Sequence, residues 1–207
     1  MYETLTVFLK KFDGLKHNDC GKAFGDALLF SNEVNAFVKT HHDLEMKNYN
    51  FILEARCEDF LVKDLSEVKV SALDGKTIIA LLVKLVKGDM RFLMSALTDG
   101  TIVSYLSRLK AIDEYSPNEE DVIAAHKHSA HHRKELQKDQ ISGCFCCCKT
   151  FSSKKIDYWY DGHIACCPYC CIDSVIGESS GYEITEEFLR AMEDHWFGIK
   201  RKERDRF

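Results

Sequence analysis

The chain has 207 residues, 45% of them hydrophobic and 29% charged, with a formal net charge of −5. That is ordinary for a globular protein with room for one large domain or two small ones. Residues 1–117, 118–143 and 144–207 are each mildly acidic, so no part carries the basic excess that phosphate binding leaves in a composition.

The longest apolar run, Ile78–Val86, is broken by Lys84 and is far too short to span a bilayer. The start "MYETLTVFLKKFDG" mixes acid and base and does not read as a signal peptide. A cytoplasmic location is therefore expected. Thiols stay reduced there, so ten cysteines point to metal and away from a disulfide framework.

Residues 1–115 read as an all-helical domain. Tyr2, Leu5, Phe8, Leu9 and Phe12 share one face of a first helix, which Gly14 ends. Ser31 is the expected cap of a second helix with Val34, Phe37 and Val38 inward, and Asn48 starts a third carrying Phe51, Ile52 and Ala55. The segment around Ile78, Ile79, Leu82, Val83 and Val86 has little polar relief, which predicts the most buried helix. "FLMSALTDG" and "TIVSYLSRLKAID" add two more, divided by the Asp99-Gly100 turn signal.

At Ser116 the pattern changes. Serine, then Pro117 at the first helical position, then Glu119 form a capping box. The stretch runs without breakers to Gly143, which predicts one connecting, histidine-rich helix over 116–142. A zinc-ribbon domain over 143–197 follows, closed by a helix with Thr185 as cap and Phe188, Leu189, Met192 and Trp196 as its apolar stripe. The basic residues of the 198–207 tail are diluted by Glu203 and Asp205, so it reads as a solvated end.

Eight cysteines fall between Gly143 and Cys171. A structural zinc takes four ligands in a tetrahedron, and two facing Cys-x-x-Cys loops supply them. Among Cys144, Cys146, Cys147 and Cys148, only Cys144 with Cys147 has that spacing. Among Cys166, Cys167, Cys170 and Cys171, only Cys167 with Cys170 has it. The ligand set is therefore Cys144, Cys147, Cys167 and Cys170, holding one structural Zn²⁺ with no open coordination position.

The 19 residues from Cys148 to Cys166, between the two loops, suit such a ribbon and contain a hairpin signal, "KIDYWY" followed by Asp161-Gly162 and "HIA". Pro168 fixes the backbone of the second loop. Cys171 stands after that loop, where glycine is common, so strain is expected there. Cys146, Cys148 and Cys166 are surplus thiols.

"AHKHSAHHRKE" carries His126, His128, His131 and His132. On a continuous helix His128 lies one turn below His132, with His131 or Glu135 flanking, so the set could meet a second metal. His128, His131, His132 and Arg133 are the weak catalytic candidates, by proton transfer and phosphate binding. The zincin glutamate is missing. A polar face packed on the ribbon is the preferred reading. His41, His42, His163 and His195 have no companions in sequence.

Residues 125–197, from the histidine stretch through "GCFCC" and "CPYCCIDSVIG" to the Trp-Phe ending, resemble a family of small, uncharacterised bacterial cytoplasmic proteins. The resemblance places its two metal loops on Cys144/Cys147 and Cys167/Cys170, and it has glycine where this chain has Cys171. "FSNEVNAFVKTHHDLEMKNYNFILEA", "LDGKTIIALLVKLVKGDMRF" and "GTIVSYLSRLKAID", about residues 30–113, resemble a second uncharacterised bacterial family, all-helical. Both resemblances imply architecture and no settled activity.

The expected fold is mainly α, with a small C-terminal β-ribbon. No nucleophile–base, P-loop or dinucleotide signature is present. The expectation is a zinc-binding, non-catalytic interaction or regulatory module with a protein partner, such as a bacterial or phage regulator or inhibitor. The alternatives are a metal-dependent hydrolase or nuclease on the histidine helix, and a nucleic-acid-binding ribbon, which the acidic balance disfavours.

Overall fold

A computed structural model describes residues 1–15, 20–40 and 49–198. Asn48, His41, His42 and the basic tail lie outside them. The chain divides into two compact units, residues 1–56 with 74–115 and residues 57–73 with 116–207. The fold is mainly helical, and among the described residues its β-structure is confined to the cysteine region.

The first unit is built from helices. Its opening segment forms two single turns, α1 (Glu3–Thr6) and α2 (Leu9–Phe12), and Gly14 closes them at φ +77. Tyr2, Leu5, Phe8 and Phe12 are buried as the periodicity predicts. The next helix, α3, runs Cys20–Thr40. Ser31 is therefore interior to it and not a cap, and its hydroxyl donates to the Ala27 carbonyl at 2.9 Å. Ala23, Ala27 and Phe30 extend the buried face of Val34 and Phe37 upstream, so the helix continues through the serine. Phe30 packs edge-on against Phe8 and Phe12 at centroid distances of 5.2 and 5.3 Å.

In α4 (Tyr49–Phe60) the inward residues are Leu53 and Phe60, while Phe51 is exposed, which corrects the predicted face. The apolar segment forms α5 (Gly75–Lys87), where Asp74 caps by accepting from the Thr77 amide at 2.7 Å. Ile78, Ile79, Leu82 and Val83 are fully enclosed, as its composition predicts. Two helices, α6 (Met90–Thr98) and α7 (Thr101–Glu114), follow on either side of Gly100, whose φ of +85 reverses the chain.

The second unit holds the ribbon. Its lead-in is not one helix. Asn118, not Ser116, caps α8 (Glu119–Ala125) by accepting from the Glu120 amide. A 3₁₀ turn follows over His126–Ser129, Ala130 is extended, and His131 takes φ +54 before α9 (Arg133–Leu136). Val122, Ala125, Ser129, His132 and Leu136 are all buried. That spacing mimics one helical face and hides the break from the sequence.

A central strand, β1 (Ile141–Cys144), pairs antiparallel with β2 (Thr150–Ser152) and later with β5 (Val175–Gly177). Between them β3 (Trp159–Tyr160) and β4 (Ile164–Ala165) form the predicted hairpin, with Asp161 and Gly162 both at positive φ. A last helix, α10 (Glu186–Trp196), is capped by Thr185 and packs Leu189 against β1 at Gly143.

Residues 57–73, placed in the helical domain from sequence, belong to this second unit. Phe60, Leu65, Val68, Ala72 and Leu73 are buried, and the Thr150 hydroxyl in β2 donates to the Ala72 carbonyl at 3.2 Å. No helix among the described residues is long and apolar enough to cross a membrane.

A side chain on Gly143 would place its Cβ 2.5 Å from Leu189 Cδ1 and 2.6 Å from Ile184 Cγ2. Gly143→Ala is therefore expected to push α10 off β1 and destabilise the second unit by about 1–3 kcal/mol, read from urea denaturation.

Candidate metal centre

The first Cys-x-x-Cys loop is the turn between β1 and β2, and the second follows β4 and leads into β5. The sheet pairs Cys144 with Val175, which brings the two loops to one end of β1. There the sulfurs of Cys144, Cys147, Cys167 and Cys170 all lie within 4.8 Å of one another. The structure thus gathers the four that spacing selects.

Cys144 Sγ stands 3.6 Å from Cys170 Sγ, and Cys147 Sγ stands 3.7 Å from Cys167 Sγ. Disulfide sulfurs lie about 2.05 Å apart, so these thiols are free. A tetrahedron of sulfurs with metal–sulfur bonds of about 2.3 Å has edges of about 3.8 Å. The two close pairs already have that separation, and the set can hold a metal ion.

Backbone amides point at the sulfurs. Tyr169 N–H donates to Cys167 Sγ at 3.4 Å, and the amides of Cys147 and Lys149 favour thiolates at Cys144 and Cys147. The sulfurs share a core with Leu136, Phe151, Ile156, Ala165 and Val175. Left to themselves they share protons. Bonds donated by Cys144 and then Cys167 hold the Cys147 thiol far below its ordinary value. The same bonding, with burial, drives Cys144 upward. A divalent cation at the centre would end that sharing by stabilising every sulfur as thiolate.

Both loops end alike. Cys148 follows Cys147 at φ +58, and Cys171 follows Cys170 at φ +61. The strain read at Cys171 is present, and Cys148 repeats it. Sequence could have shown this, since each stands one residue after the second ligand of its loop. Burial pushes the Cys148 thiol up to about 12, so it stays protonated, whereas Cys171 is exposed. Among the described residues no other set of three or more metal-binding side chains is close enough to hold an ion.

The break at His131 ends the shared helical face, and the weak catalytic candidates form no metal-binding set of three or more. His128 faces Tyr182, His131 faces His163, and His132 faces Trp159, at ring distances of 6.3, 6.5 and 6.5 Å. The Arg133 guanidinium lies over the Trp159 ring at 4.9 Å and donates to the Gly162 carbonyl at 2.9 Å. His131, His132 and Arg133 dock the lead-in onto the β3–β4 hairpin. His132 is only 3% exposed, and neither ring nitrogen makes an aligned hydrogen bond. Burial pushes its pKa down, against the opposing pull of the Ala130 carbonyl and Glu135.

Sequence reasoning missed Asp59 and Lys155. The Tyr169 hydroxyl donates to the Asp59 carboxylate and accepts from Lys155 Nζ at 2.8 Å. No local pattern links positions 110 residues apart.

No protein-family model matches the chain, and no curated protein or solved structure is significantly similar to it.

Cys171→Gly relieves the left-handed backbone at little cost in buried surface. It is expected to raise stability by up to about 1 kcal/mol, seen as a higher urea midpoint. The unfolded His132 ring titrates near 6.5 and the buried ring lower. The unfolded chain holds the extra proton between those values, so this contribution is complete above the unfolded value and lost as pH falls toward the folded one. His132→Phe is expected to flatten that part of the pH–stability profile, measured by urea midpoints from neutral pH downward.

Proposed function

We propose that the chain is a zinc-binding, non-catalytic interaction module in which one Zn²⁺ organises the ribbon. The observation that carries this reading is the cluster of four cysteine sulfurs within 4.8 Å, embedded in a hydrophobic core. An all-thiolate, tetrahedral set suits zinc, and four protein ligands leave no position for water or substrate. Cys144, Cys147, Cys167 and Cys170 hold the ion, and its chemistry there is structural. The free thiols suit a reducing, cytoplasmic setting.

The proposed partner is a protein. Tyr158 and Tyr160, on either side of Trp159, are 61% and 59% exposed on the hairpin. Amphipathic rings of this kind suit an interface. Among the described residues His128, His131 and His132 enter no metal-binding set of three or more, so the hydrolase alternative lacks an assembled metal site.

Structural zinc contributes about 10–16 kcal/mol of apparent binding energy, comparable with the whole stability of a domain. Metal loss should therefore unfold the ribbon. Elemental analysis and native mass spectrometry of metal-washed protein are expected to give one zinc per chain. Cys144→Ser or Cys167→Ser is expected to lose both the metal and the folded second unit. Metal-free protein with an intact ribbon would refute the reading.

A further inference from the structure

We infer that residues 57–73 form a strap whose docking depends on the metal loop, with Tyr169 as the lever between them. This rests on the zinc reading above. The strap consists of the end of α4 and two 3₁₀ turns, Leu65–Glu67 and Val70–Ala72. It joins neither sheet, and Asp64 caps its first turn by accepting from the Ser66 amide at 2.8 Å. With so little regular structure of its own, it takes its shape from what it packs on. Such segments open at low free energy when their contacts go.

Buried apolar side chains, the Lys69–Glu178 ion pair and the Thr150–Ala72 hydrogen bond hold the strap down. One further contact reaches into a metal loop. Tyr169 lies between the ligands Cys167 and Cys170, and its amide donates to the Cys167 sulfur. The position of its backbone thus follows the position of that sulfur. Its ring is pinned edge-on by Phe151 at 5.6 Å and covered by the Lys149 ammonium at 4.2 Å. Its hydroxyl ends between the Asp59 carboxylate on the strap and the Lys155 ammonium, which themselves stand 3.6 Å apart.

An ion that fixes the second loop therefore aims the tyrosine at the strap. A loop without its ion has only weak thiol hydrogen bonds to hold four sulfurs together, and the aim is lost. Asp59 acts as a positioning residue through Tyr169. Coupling of this kind is reciprocal: whatever weakens the strap contact must also weaken the hold on the metal.

The test is hydrogen–deuterium exchange of the intact chain, with metal content measured on the same samples. Tyr169→Phe removes the hydroxyl and Asp59→Asn removes its charged partner. Each variant is expected to keep its zinc, and amides of 60–73 should exchange about tenfold faster while the β1, β2 and β5 amides stay protected. Both variants should also release zinc to a chelator several times faster than the unmodified chain. Strap exchange and zinc release within twofold of the unmodified chain, in variants that retain their metal, would overturn the coupling and leave the zinc reading intact. An unmodified chain holding no metal would overturn both, and the metal assay tells the two failures apart.

Discussion

Four thiols within 4.8 Å of one another, two buried and two half-buried against aliphatic and aromatic side chains, are the constraint on which the second unit depends. Sulfurs so placed cannot all ionise without a cation, and protonated they give one another only weak hydrogen bonds. With a divalent ion they become the strongest set of bonds in the unit. Its sheet has strands of three or four residues, too short to stand alone. The loops that carry the ligands also set the ends of those strands.

The same loops store strain. Cys148 and Cys171 each take a left-handed backbone that glycine adopts freely, at about 1–2 kcal/mol apiece. A metal ion held by the four sulfurs, worth several times that amount, would keep them there. Around this centre the histidine-rich segment serves packing. Arg133 stacks on Trp159, and His132 is enclosed beside it with no aligned hydrogen bond to either ring nitrogen. An arginine and a histidine that look like phosphate and proton chemistry in one dimension form the seam between a lead-in and a hairpin in three.

The clustering of Cys144, Cys147, Cys167 and Cys170 was legible because Cys-x-x-Cys is a local geometric device: two residues between the cysteines suffice to turn both sulfurs to one point. Helix α10 and the Asp161-Gly162 hairpin were legible for the same reason, since a capping threonine and a glycine able to take positive φ act within their own turn. The fold class followed from such local signals. Ser31 misled because it is a good cap that a continuing apolar face overrides.

The break at Ala130–His131 was not legible. Its buried residues keep helical spacing across it, and no glycine or proline marks it. Nor was the membership of residues 57–73, whose contacts join Asp59 to Tyr169, Lys69 to Glu178 and Ala72 to Thr150. By itself the sequence determined the helical class, the hairpin and the four clustered cysteines, because each is written in spacings shorter than a few turns of chain. Only the tertiary structure decided where the histidine segment bends and which distant strap closes the ribbon. Those outcomes depend on surfaces that exist only once the ribbon has folded.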